Sequence, residues 1–195
     1  ATRISGATGG IGSEPIAGRH LRGGGIFQLL TFKGKSLFRN LEELTAILRD
    51  LLTRSDTTDE KRIRDLILEA RNNIFSAIIP SGHLFAFYRA GASLSLSRYR
   101  LEQWNGSSQI RFLTDLVHKT EDEITWIAEK VGALQKRLFT RDRLLINATG
   151  DPDLLEGIRP YLDELIGAFH EGSKGPRKNE VPNVPKSVGV SIPSQ

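Results

Sequence analysis

Ile79-Pro80-Ser81-Gly82-His83 leads through Arg89-Ala90-Gly91-Ala92-Ser93-Leu94-Ser95 to Glu102-Gln103-Trp104-Asn105-Gly106-Ser107-Ser108-Gln109-Ile110-Arg111-Phe112-Leu113. Its punctuation decides the reading. Pro80 ends a preceding helix, because the residue before a proline is pushed out of the helical region. A helix is predicted from about Gly82 to Leu96, a turn near Asn105-Gly106, and a short helix over Ile110–Val117. The middle of the chain is therefore a series of helices separated by turns.

Working outward, the flanks are helical too. Upstream, Thr57 with Glu60 reads as a capping box opening the stripe Ile63, Leu66, Ile67, Ala70, Ile74 and Ile78. Before it, Asn40 with Glu43 opens Leu41, Leu44, Ile47, Leu48, Leu51 and Leu52. Downstream, Thr120 with Glu123 opens Ile124, Ile127, Ala128, Val131, Leu134 and Leu138. Asp151 precedes Pro152, a good first helical residue, and Leu154, Leu155, Ile158, Leu162, Leu165, Ile166 and Phe169 form an apolar face that Pro160 kinks. Each stripe covers one face, so each helix packs on something.

Strand signals lie at the ends. Residues 1–34 are glycine-rich, with Ile26–Phe32 of β-rich composition, and Arg143–Ala148 is a short apolar run. The expected fold is α+β. Thr2–Ile11, Ile26–Phe32 and Arg143–Ala148 share a mainly antiparallel sheet, and helices 41–53, 59–79, 121–139 and 152–170 pack against it on one side or end. Residues 1–171 form this domain. Residues 172–195, rich in Gly, Pro, Lys and Asn, read as a linker, with Val188–Ile192 as the first strand of a further domain.

The totals exclude several classes. A chain of 195 residues suits one domain. The net charge of +4 is mild and spread out, which argues against nucleic-acid binding. No run approaches the ~20 apolar residues of a membrane span, and no signal-peptide pattern is present. Cysteine is absent, so neither a disulfide nor a thiolate metal site can form. Methionine is absent as well. That reads as a start inside a longer gene product, or as modified methionines missing from the written sequence, which would compress some spacings by a residue.

Ser5-Gly6-Ala7-Thr8-Gly9-Gly10-Ile11-Gly12 resembles the cofactor turn of short-chain dehydrogenases, where glycines bring backbone close to a pyrophosphate at a helix N-terminus. The context opposes it. Only five residues precede the glycines, Pro15 and Gly23-Gly24-Gly25 would cripple the helix, and Phe27–Phe32 ends in Lys33-Gly34-Lys35 without an acidic ribose partner. Tyr88, Tyr99 and Tyr161 lack the catalytic lysine four residues on. The expected role is a strand entering a glycine turn.

Other chemical candidates are sparse. His20, His83, His118 and His170 form neither His-Glu-x-x-His nor its inverse, which would aim two imidazoles at one zinc. His118 with Glu121 and Glu123 reads as an exposed helix start, and His83 as a capping or packing residue. Ser95, Ser97, Ser107 and Ser108 have no evident base. Arg62, Arg64, Arg71, Arg98 and Arg100 read as solvated helix faces, and Trp104 and Trp126 as packing residues.

Several blocks resemble, in order, the pitrilysin/insulinase class of zinc peptidases in its presequence-protease branch. They are Gly34-Lys35-Ser36-Leu37-Phe38-Arg39-Asn40, the Ser81-Gly82-His83 segment, Gly106 to Leu113, Leu138-Phe139-Thr140-Arg141-Asp142, Leu144 to Asp151, and Ile192-Pro193-Ser194-Gln195. The resemblance implies the third domain, in the non-catalytic C-terminal half, of a zinc endopeptidase that encloses unstructured peptides in a chamber between two halves. The catalytic histidines and glutamates of that class match no residue here, and its assisting arginine and tyrosine belong to a fourth domain. It thus assigns this chain no catalytic, cofactor-binding or metal residue. Zinc belongs to the parent enzyme. The implied partners are the catalytic half of the same polypeptide and a peptide substrate, with no nucleic acid or membrane, in a soluble intracellular or organellar protein. The alternatives are a short-chain dehydrogenase fragment that uses NAD(P), and a helical protein-interaction module.

Overall fold

The computed structural model describes residues 2–22, 25–119 and 121–172. In chain order they form α1 (Thr2–Ala7), β1 (Ile11–Arg19), β2 (Ile26–Gly34), a 3-10 turn (Phe38–Asn40), α2 (Leu41–Thr53), α3 (Glu60–Ile78), α4 (Gly82–Gly91), α5 (Leu96–Asn105), α6 (Ser107–Val117), α7 (Glu121–Leu138), a second 3-10 turn (Arg141–Arg143), α8 (Pro152–Gly157) and α9 (Arg159–Gly167). The fold is α+β and mostly helical, with one two-stranded antiparallel sheet among the described residues. No described helix is long and apolar enough to cross a membrane. The chain divides into two compact units. One holds the residues up to Glu14, Phe32–Asp59 and the residues from Thr125; the other holds Pro15–Thr31 and Glu60–Ile124.

The first unit is organised by α2. Its helical spacing buries Leu41, Leu44, Ile47 and Leu52, each contributing about 1.5–3 kcal/mol when fully removed from water. Leu52 joins Leu165 and Phe169 in a core that Phe32, Phe139, Leu144, Ile146 and Leu162 flank. Arg49 and Glu164 pair across the α2–α9 contact. The expected box at Asn40 does not form. The Asn40 amide donates instead to the Ala7 carbonyl at 3.0 Å, and Glu43 is held by Arg3. Arg3 also reaches Asp50 at 3.2 Å. Hydrogen bonding to Arg3 depresses both carboxyls below their usual range, and the Arg3 guanidinium is raised, chiefly by Glu43.

Two expected strands are corrected here. Thr2–Ala7 is helical, and the strand begins at Ile11. Between them Gly10 adopts φ 113°, a backbone conformation that glycine tolerates best. The Gly9 N–H donates to the Lys35 carbonyl at 2.8 Å, with the lysine stem too close for any side chain at Gly9. Arg143–Ala148 forms no ladder with any described residue, so the three-segment sheet is not made. Its burial still alternates: Leu144 and Ile146 pack on the core while Leu145 is 79% exposed. The kink expected at Pro160 falls two residues earlier. The helix breaks at Ile158, and Pro160 sits in the first turn of α9, where its missing N–H costs little.

In the second unit α3 packs on α6 and α4, α4 on α5, and α5 on α6. Helix α3 starts at Glu60, beyond the expected Thr57 box. Asp56 instead accepts from the Thr58 N–H and hydroxyl at 2.8 and 2.7 Å, closing a local turn. The segment expected as one helix to Leu96 ends at Gly91, and Ser95 caps a new helix by accepting from the Arg98 N–H. The hairpin tip belongs to this unit as well. The His20 N–H donates to the Gly25 carbonyl at 2.8 Å, and the Phe27 ring lies over Gly18, edge-on to His20. Pro15 is tolerated in β1 because that strand is an edge. Thr120 and the expected linker and strand from 173 onward lie outside the described residues.

Candidate functional site

The segment from Ser81 to Leu113 is the most chemically specified part of the chain, and Glu102 is its centre. Glu102 lies near the end of α5 with no exposed surface. Its Oε1 accepts from the Ser107 hydroxyl at 2.9 Å and from the Ser108 N–H at 3.1 Å. Both donors belong to the first turn of α6, whose free N–H groups favour an anion. Arg89, brought in by α4, places Nη1 3.7 Å from the same oxygen. One carboxylate therefore joins three helices.

Gly106 makes the arrangement sterically possible. Its N–H donates to the Glu102 carbonyl at 2.8 Å. A β-carbon there would sit 2.7 Å from that carbonyl and 2.9 Å from Glu102 Cγ. The spacing Glu-x-x-x-Gly-Ser-Ser thus lets a helix end, turn on glycine, and cap its successor with its own carboxylate. Sequence reasoning took the glycine as a turn and missed the carboxylate. The signal was the two serines placed directly after the glycine.

A second feature lies on α4 and the start of α5. The Arg98 guanidinium rests 4.9 Å from the centroid of the Phe87 ring. Its stem runs past Gly91, where an added β-carbon would meet Arg98 Cδ at 3.0 Å. Arg98 was expected to be a solvated residue; it is exposed but held in place. Arg71 over Phe75 at 4.4 Å and Arg100 over Tyr99 at 5.8 Å repeat the theme.

The other candidates stay apart. His83 is exposed on α4, His118 closes α6, His20 meets Phe27, and the His170 ring nitrogen lies 3.0 Å from the Lys136 carbonyl. Glu123 pairs with Lys119 at 2.7 Å, holding that lysine above its ordinary value. Ser95 caps α5 and lies 3.1 Å from the Ser97 hydroxyl. Trp104 is half-buried, whereas Trp126 is 58% exposed beside Lys130, a correction to its expected packing role. Among the described residues no three His, Asp or Glu side chains gather into a metal-ligating set. The side chains here do not fit a zinc ion, and no step through one is derived.

The glycine motif does not fit a dinucleotide either. Chain order is helix, glycines, strand, the reverse of the strand, glycines, helix that puts N–H groups on a pyrophosphate. Gly9 and Gly10 serve the reversal from α1 into β1. What the Glu102 and Arg98 arrangements can do is position helices and present a surface. Glu102 has no solvent access through which to exchange protons with a substrate.

Comparison with known proteins gives one direction. Residues 1–116 match the family described as peptidase-associated, in subfamily C of the sixteenth metallopeptidase family. The chain is 23% identical over 190 residues to presequence protease 1, chloroplastic/mitochondrial, of Arabidopsis thaliana, covering 93% of this chain and 18% of that protein. It is 25% identical over 157 residues to the mitochondrial presequence protease of Danio rerio, covering 80% and 15%. With that of Yarrowia lipolytica the identity is 27% over 139 residues, covering 71% and 14%. The chain spans less than a fifth of the length of these relatives.

Proposed function

Because this chain belongs to the domain family associated with subfamily C of the sixteenth metallopeptidase family, we propose that it is a non-catalytic segment of a zinc-dependent endopeptidase, forming part of the wall around an unstructured peptide. The observation that carries the reading is the near-complete match of this chain to one stretch of much longer presequence proteases. The catalytic half, with its zinc, would lie in the same polypeptide and outside this chain. The names of the relatives favour an organellar setting.

The surface supports a role within something larger. Leu68 and Phe75 on one flank of α3, with Ile79 just past its end, are 39%, 38% and 72% exposed. Val131, Leu134 and Leu138 form a similar stripe on α7. Contiguous apolar faces of this kind are normally covered. A two-stranded sheet is marginal by itself. We take the hairpin as part of a wider antiparallel sheet of the pitrilysin type, and residues 172–195 as a linker behind a domain of residues 1–171.

The full-length coding sequence tests this first. It should carry His-x-x-Glu-His upstream, and its product should cleave an unstructured peptide in a chelator-sensitive way. This chain alone should cleave nothing. A complete gene product without that motif, or chelator-blocked cleavage by this chain alone, would overturn the reading.

A further inference from the structure

We propose that the surface made by Leu84, Phe87, Gly91, Leu94 and Arg98 docks an extended peptide carrying a carboxylate next to an apolar side chain. Leu84, Phe87 and Gly91 recur at helical spacing on one face of α4. Leu84 is 44% exposed and Phe87 54%; Leu94, in the turn that follows, is 76% exposed. Solvent therefore meets a continuous apolar strip where the chain turns from α4 to α5. Arg98 lies across that strip, stacked on Phe87 with its stem against Gly91.

Charge selects the ligand. Between Glu69 and Asp115 the sequence has five arginines, no lysine and a single carboxylate, Glu102. Glu102 is fully buried and engaged by Ser107, Ser108 and Arg89. The exposed surface of this stretch therefore carries no carboxylate. Among the described residues Arg98 has no ion-pair partner. A guanidinium desolvated on one face by an aromatic ring keeps its N–H edge for two-point contact with a carboxylate. Stacking fixes its orientation beforehand, so less side-chain freedom is lost on binding. The flanking Leu84 and Leu94 would take the neighbouring apolar side chain.

A nucleic acid fits less well. Phosphate binding draws its strength from several cations tracking a backbone, whereas here one oriented guanidinium sits within apolar surface. Taking the occupant to be a peptide rests on the function proposed above, and the inference deepens it by naming the sequence character preferred at this wall. The test needs no catalysis, so its failure is distinct from failure of the chamber reading.

Fluorescence anisotropy with the whole chain decides it. The probe is a labelled, unstructured peptide of Glu, Phe, Gly and Ser, compared with its Glu→Lys counterpart. Saturable binding of the Glu peptide is expected, at least about tenfold tighter than the Lys version and weakened by salt. Arg98→Glu should lower affinity by about tenfold or more, with Arg98→Lys intermediate. Leu94→Glu, at a site too exposed to affect folding, should weaken binding as well. Equal binding of the two peptides, or affinity unchanged in both Arg98→Glu and Leu94→Glu, would overturn the proposal. So would displacement of the peptide by a single-stranded oligothymidylate at lower concentration than by unlabelled peptide, which would assign the surface to nucleic acid.

Discussion

Ser107→Ala tests whether Glu102 holds the second unit together. The substitution deletes the 2.9 Å hydroxyl donor to Oε1 and leaves the Ser108 N–H at 3.1 Å and Arg89 at 3.7 Å. Glu102 Oε2 already lacks a hydrogen-bond partner among the described residues. A hydrogen bond to a charged group contributes about 1.5–3 kcal/mol, and burial prevents water from replacing the lost donor. We expect a loss of about 2 kcal/mol, or roughly 4–8 °C in midpoint for a chain of this size. The assay is urea or thermal unfolding in a Trp126→Phe background, where Trp104 in α5 is the remaining tryptophan. Glu102→Gln supplies the second arm. With a neutral acceptor the same Ser107→Ala change should cost about 1 kcal/mol less. A loss below about 0.5 kcal/mol, within the range of ordinary surface changes, would refute the reasoning. An equal loss in both backgrounds would show that the hydroxyl acts by packing and not through the carboxylate.

Other outcomes follow from the first unit. Arg3 depresses the Glu43 and Asp50 carboxyls, so their contribution to stability is complete above the unfolded carboxyl range and fades as pH falls through the lowered folded values. Midpoints measured from about pH 6 down to pH 2 should drop less steeply in Arg3→Gln than in the parent; identical slopes would remove Arg3 from the account. Phe169→Ala, 3% exposed beside Leu52 and Leu165, should cost about 3–5 kcal/mol by denaturant titration. Gly10→Val places a β-branched residue at φ 113° and should destabilise by more than about 1 kcal/mol. NAD(H) should give no saturable heat with the unsubstituted chain; one-to-one binding would revive the dinucleotide reading.

Helices were readable where an apolar period and a clear boundary coincided. Leu41–Thr53 was placed to the residue, and α3 and α7 to within one at each end. Boundaries set by hydrogen-bonding side chains were not readable, because the partners come from elsewhere in the chain. Asn40 looked like a cap until Ala7 claimed its amide, and Glu43 until Arg3 did. Strands were the weaker case. Thr2–Ala7 has β-rich composition but is helical, and Ile11–Arg19 contains a proline and glycines yet is a strand. The cross-strand ring of Phe27 over Gly18 supplies packing that the strand's own residues lack. Glu102 escaped notice because a lone glutamate late in a helix reads as solvated; only folding shows that the chain turns back to surround it.

The alternating burial of Leu144, Leu145 and Ile146 has a consequence for assembly. With Leu144 and Ile146 seated on the Leu52–Leu165–Phe169 core and Leu145 turned outward, this segment is locked in phase while its backbone has no ladder. A slip of one residue would drive Leu145 inward and expose both neighbours. Any strand arriving here meets a template whose frame is already set, so the choice left to the newcomer is where its own side chains fall. The order of events is then fixed by chemistry: the core must close before the edge can be read, and a chain whose Phe169 cluster is loosened loses the frame together with the stability.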